Sequence, residues 1–156
     1  MKLVYKILAY LVAVEVAVQA SMVVLADAGL GKWVEQGGVL DKAAMESDAS
    51  PFPEVVGFMV HGINGMMVIP LIALLLLISS FFTGLPGAVK AAGLVVLLVV
   101  VQVSLGLLGH EISALGALHG VNALLLFSAA VYAARRGRAA SVTAPAQSQA
   151  RVGTAG

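Results

Sequence analysis

Residues 91–109 read Ala-Ala-Gly-Leu-Val-Val-Leu-Leu-Val-Val-Val-Gln-Val-Ser-Leu-Gly-Leu-Leu-Gly, a run without a charge whose only polar side chains are Gln102 and Ser104. The hydrocarbon core of a bilayer is crossed by roughly 20 mostly apolar residues in a helix, so this stretch reads as one complete span. Three others qualify. Residues 7–26 are interrupted by Glu15, Gln19 and Ser21; residues 55–82 contain His61, Asn64 and Pro70; residues 112–134 contain His119 and Asn122. The 55–82 stretch exceeds a minimal span and is expected to tilt, with a kink at Pro70. The predicted fold is all-α: a polytopic membrane protein, one four-helix transmembrane bundle over residues 1–138.

Composition agrees. Of 156 residues, 60% are hydrophobic and 11% charged, against about 25% charged in soluble domains. A net charge of +1 gives no reason to expect nucleic acid as a partner. The chain has no cysteine, which removes disulfides, iron–sulfur clusters, covalent haem attachment and thiolate zinc sites together. Beyond Arg138 the sequence turns to Ala, Ser, Thr, Gln and Gly, so 139–156 reads as a disordered tail.

Orientation follows from the basic residues. Lys2, Lys6, Lys90, Arg135, Arg136, Arg138 and Arg151 fall on one side of a four-span layout. Asp27, Glu35, Asp41, Glu46, Asp48, Glu54 and Glu111 fall on the other, with only Lys32 and Lys42. The positive-inside rule places both termini in the cytoplasm of a plasma-membrane protein and the 27–54 loop outside. A competing reading treats the first stretch as a cleavable signal peptide ending near Val18-Gln19-Ala20. Glu15 is unsuited to such a segment, and the stretch has a counterpart later in the chain.

That counterpart is an internal repeat. Val18-Gln19-Ala20-Ser21 matches Val101-Gln102-Val103-Ser104, and His61-Gly62-Ile63-Asn64 matches His119-Gly120-Val121-Asn122. The offsets, 83 and 58 residues, differ mainly by the long loop. The spans therefore read as two copies of one helical hairpin, related by an axis along the membrane normal. His61, His119, Gln19 and Gln102 each lie seven or eight residues from the outer end of an expected span, roughly 10 Å deep at 1.5 Å per residue. Polar side chains at that depth are expected to face the interior and find partners.

Two neutral imidazoles at equal depth on parallel helices are the axial ligand set of a six-coordinate haem b. Gly62 and Gly120, with Gly57, Gly65 and Gly116, leave space for a ring. Asn64 and Asn122, or the two glutamines, are expected to hydrogen-bond the second imidazole nitrogen or the ring edge. A mononuclear zinc or copper site needs more ligands than two histidines. Glu15, one turn deeper than Gln19, is expected to be paired inside the bundle or linked to proton uptake. The simpler alternative is that these polar groups are packing glue between helices. His110 reads as a solvated turn residue, Met59, Met66 and Met67 as core, Trp33 and Tyr132 as interfacial anchors, and 40–45 as a short lid helix.

Val-Gln-Val-Ser-Leu-Gly-Leu-Leu-Gly at 101–109, followed by Ala-Leu-His-Gly-Val-Asn-Ala-Leu-Leu at 117–125, resembles one half of the haem A synthase family. Members of that family have two four-helix halves, each with haem-type histidines near the outer ends of its second and fourth helices. The resemblance spans 7–134 and implies that His61 and His119 are an axial pair. The departures are clear. There are four spans rather than eight, and no outer-loop cysteine. Where catalytic members carry a Glu shortly before the second-helix His and an Arg after it, this chain has Glu54 seven residues away and Gly62. Haem oxidation is therefore not implied, and no catalytic residue set is identified. The layout is closer to small four-helix bacterial membrane proteins of half size. Three functions remain open: a bis-histidine b-type haem protein handling electrons or haem, with a redox partner; an accessory subunit of a larger membrane complex; or a small proton or solute transporter.

Overall fold

The computed structural model describes residues 1–46 and 50–142. Over these residues the chain is helical. Helix α1 is Lys2–Glu35, α2 is the short Lys42–Glu46, α3 is Pro53–Ser80, α4 is Ala88–Gly109 and α5 is Ser113–Val142. All but α2 are long and apolar enough to cross a membrane.

The helix bounds differ from the hydropathy reading for local reasons. Helix α1 continues nine residues past position 26, through Asp27, Lys32 and Glu35, because no proline interrupts it and the single glycines at 29 and 31 do not end it before the Gly37-Gly38 pair. At 1.5 Å per residue it is about 51 Å long, against about 30 Å of hydrocarbon. Its last turns thus take up part of the expected 27–54 loop, and Trp33 sits on the helix, its ring 5.8 Å from that of Phe52. A short helix expected over 40–45 is present as α2, shifted to Lys42–Glu46 and started by Asp41, whose Oδ1 accepts the Ala44 N–H at 2.8 Å. Helix α5 extends to Val142, past the expected start of the tail; the rest of that tail, 143–156, lies outside the described residues.

Helix α3 is not uniform. It begins as a 3-10 turn at Pro53–Val55, is α-helical over Val56–Ile63, π-helical over Asn64–Val68 and α-helical again over Ile69–Ser80. Pro70 has no N–H and its ring crowds the carbonyl four residues earlier. The ladder slips to i→i+5 just before it, with the Ile69 N–H on the Asn64 carbonyl.

Helices α1 and α4 each pack against both α3 and α5, so α1 lies diagonally opposite α4, and α3 opposite α5. The end carrying residue 1 and the 81–87 turn is closed by small residues. Ala9, Ala13, Ala73, Ala88, Ala92 and Ala130 are buried there around Tyr5 and Leu76, since alanine lets helix backbones approach. The Tyr5 hydroxyl donates to the Ala88 carbonyl at 3.3 Å, and Arg136 donates to the Pro86 carbonyl at 2.9 Å and to the Tyr132 hydroxyl. Gly87 is in the left-handed region (φ 75°), where a Cβ would also overlap the Arg136 guanidinium. The opposite end, from which the 36–52 loop and the 110–112 turn emerge, is open and holds a cavity.

The outward faces are apolar. Phe58, Leu71, Leu75, Leu97, Val100 and Leu125 are all exposed. Met59 and Met67, expected in the core, are on this surface instead, and Met66 is exposed along the cavity lining. Hydropathy does not tell the inside of such a bundle from its outside.

Candidate functional site

The cavity has a volume of about 600 Å³ and is lined by all four long helices. Its walls are almost wholly apolar, and its polar groups are His61, His119, Gln19, Gln102 and His110. The two histidines come from the diagonal pair α3 and α5, and the two glutamines from the diagonal pair α1 and α4. The imidazole centres of His61 and His119 are 6.0 Å apart, with ring planes inclined at 57°.

Each imidazole is held in the same way. His61 Nδ1 lies 3.3 Å from the Gln19 backbone carbonyl, and His119 Nδ1 lies 3.0 Å from the Gln102 backbone carbonyl. A carbonyl oxygen only accepts, so in each bond Nδ1 carries the hydrogen. A neutral ring so held leaves its lone pair on Nε2, the tautomer needed for metal ligation through that nitrogen. The sequence reading assigned this second-nitrogen contact to Asn or Gln side chains. The main-chain carbonyls of Gln19 and Gln102 make it instead.

The asparagines are buried one turn beneath. Asn122 Nδ2 donates to Gln102 Oε1 at 2.6 Å and to the Leu98 carbonyl at 2.9 Å. Asn64 Nδ2 donates to Glu15 Oε2 at 2.7 Å. Glu15 is therefore paired inside the bundle. Counted by the 83-residue offset, it occupies the position of Leu98. Gln19 is buried at 8% exposure and neither its Nε2 nor its Oε1 has a partner.

Glycines shape the space. A Cβ at Gly62 or Gly120 would meet nothing within 4 Å, and both positions line the cavity. At Gly106 a Cβ would stand 3.1 Å from Cε1 and Nδ1 of His119, so the bare backbone there seats the ring. At Gly57 it would overlap the Met22 carbonyl oxygen, at 2.3 Å, so glycine sets the approach of α3 to α1. His110, read from sequence as a solvated turn residue, is exposed but also belongs to the cavity lining. The missed signal was its spacing: Gln102 and Gly106 on α4 and His110, the residue just past its end, recur at every fourth position.

The arrangement suits a flat macrocycle held between two imidazoles. Metal–imidazole bonds of about 2.0–2.1 Å on opposite sides of one ion, with roughly 1.1 Å from nitrogen to ring centre, put the two ring centres about 6.2–6.4 Å apart. The observed separation is 6.0 Å. Among the described residues no three His, Asp or Glu side chains converge as a metal site. No protein-family model matches the chain, nor does any curated protein or solved structure.

Proposed function

We propose that this chain is a membrane protein that holds one haem b between His61 and His119 and handles electrons or haem near the outer leaflet. The observation that carries the reading is the imidazole pair itself: ring centres 6.0 Å apart, each Nδ1 on a backbone carbonyl, both in an apolar cavity. A haem there supplies one-electron redox chemistry when bound. The chain's own residues do the rest. The Gln19 and Gln102 carbonyls fix tautomer and ring orientation, Gly62 and Gly120 leave the faces clear, and the apolar walls keep water away.

Membrane insertion is supported by the apolar outward faces, with no more than 28% of any span's apolar window buried within the bundle. Two hairpin repeats are supported by the matching contacts of the two histidines, whose residues are related by the same offsets of 58 and 83. The seven bases on one side and seven acids on the other support cytoplasmic termini. Kinship with one half of a haem A synthase is part of the same proposal, without its catalytic residues. The test is a reduced-minus-oxidised absorption spectrum of the purified protein.

A second reading, an accessory subunit of a larger membrane complex, draws on an open groove between α1 and α5, lined by Tyr10, Val14, Ala17 and Phe127 among others. Copurification with such a complex, in a protein without colour, would favour it.

A further inference from the structure

The rim of the cavity differs between its two sides. By the 83-residue offset, His110 on the α4 side corresponds to Asp27 on the α1 side. His110 is exposed and belongs to the cavity wall, while Asp27 is exposed and lies off it. Gln102 and Gly106 mark the face of α4 that meets His119, and His110 follows four residues later on the same face. The packing is uneven too. Over Val56–Ile63 helix α3 rests on α1 and makes no comparable contact with α4, whereas over Ile69–Ser80 it packs against both. The cavity is therefore less enclosed on the α4 side at its outer end. Of the other polar groups on the wall, His61 and His119 face each other across the site, and the amide atoms of Gln19 are buried out of reach. Gln102 lies about 12 Å deeper than His110 at 1.5 Å per residue. The two lysines of this end, Lys32 and Lys42, pair with Glu54 and Glu46, and neither lines the cavity. Glu111, beside His110 in the chain, is exposed and off the cavity wall.

We infer that His110 binds a carboxylate carried on the edge of the ring that occupies the cavity, and so fixes which way round the ring sits. This rests on the macrocycle reading above and adds an orientation to it. Iron protoporphyrin bears two carboxylates on one edge and apolar groups on the other. An ionised carboxylate is costly to bury among apolar walls, so the acidic edge belongs at the open rim. An imidazole N–H donates to a carboxylate oxygen whether the ring is neutral or protonated. The Asp27 carboxylate repels a second anion from the α1 side, which leaves the α4 side, with His110, to receive it.

The test uses the full chain freed of bound haem and folded in detergent. It is titrated with two probes: iron protoporphyrin IX, and its dimethyl ester, which keeps the ring and loses both negative charges. The quantity read is the affinity for the diacid divided by that for the ester. In His110→Leu this ratio falls about tenfold from its value in the parent, the worth of one charge-assisted hydrogen bond at an exposed rim. The fall comes from weaker binding of the diacid, with the ester unaffected. Lys32→Gln, in the rival cation at this end, leaves the ratio at the parent value. Both axial bonds hold in these variants, so a low-spin spectrum in each separates a lost contact from a lost fold. An equal ratio in the parent and His110→Leu, or a fall in Lys32→Gln as large as that in His110→Leu, overturns the inference and leaves haem binding standing. Failure of both rings to bind the folded parent overturns the haem reading, and this inference with it.

Discussion

Asn64 Nδ2 donates to Glu15 Oε2 across 2.7 Å, joining α3 to α1 at the first residue of the π-helical turn. Glu15 lies one turn beyond Gln19, away from the loop end. Glu15→Leu leaves the buried Asn64 amide without its acceptor and is expected to cost about 1–3 kcal/mol, read as a lowered thermal midpoint in detergent. Glu15→Gln keeps an acceptor for Asn64 and should lose much less; equal losses in the two variants would contradict the pairing.

Gly106 faces the His119 ring. In Gly106→Val the Cβ alone stands 3.1 Å from two ring atoms, and the added methyls push the imidazole off the Gln102 carbonyl. The expected result is high-spin haem or its loss, with helix content unchanged by circular dichroism. Gly93→Val is the control, because a Cβ there meets nothing within 4 Å.

At Gly57 the obstacle is backbone, not a side chain that can swing away. Gly57→Val must separate α3 from α1 at the Met22 carbonyl, and overpacking of this kind costs about 1–3 kcal/mol. Thermal unfolding in detergent should show a lowered midpoint. Gly31→Ala, on the exposed extension of α1 with open space around it, should show none, and gains roughly 0.5–1 kcal/mol of helix propensity.

Single cysteines test the orientation. With no native cysteine to interfere, Val39→Cys should react with an impermeant thiol reagent added to intact cells. Ser141→Cys should react only after permeabilisation. Equal reactivity of both from outside contradicts cytoplasmic termini.

The four helices were legible because each carries an apolar run of spanning length, and the His-Gly-x-Asn pair because it occurs twice. What the sequence did not disclose has physical causes. The extension of α1 through Glu35 is hidden because hydropathy reports solvent preference while helix continuity depends on breakers. The outward placing of Met59 and Met67 is hidden because both sides of such a helix are apolar. The partner of each His Nδ1 is a main-chain carbonyl, which leaves no trace in residue identity. The pairing of Asn64 with Glu15 was legible only in part: the motif offset sets Glu15 where Leu98 stands, but does not say that Glu15 would be the acceptor for Asn64.

The most direct measurement is the absorption spectrum of the purified, folded protein expressed with ample haem, compared with His61→Ala, His119→Ala and His110→Ala. The account predicts a low-spin, six-coordinate b-type spectrum in the parent and in His110→Ala. Replacement of either His61 or His119 gives five-coordinate haem or none, with lower thermal stability, because a cofactor bound only to the folded state stabilises it. A well-folded parent with no Soret band, or one whose spectrum survives the loss of either histidine, contradicts it.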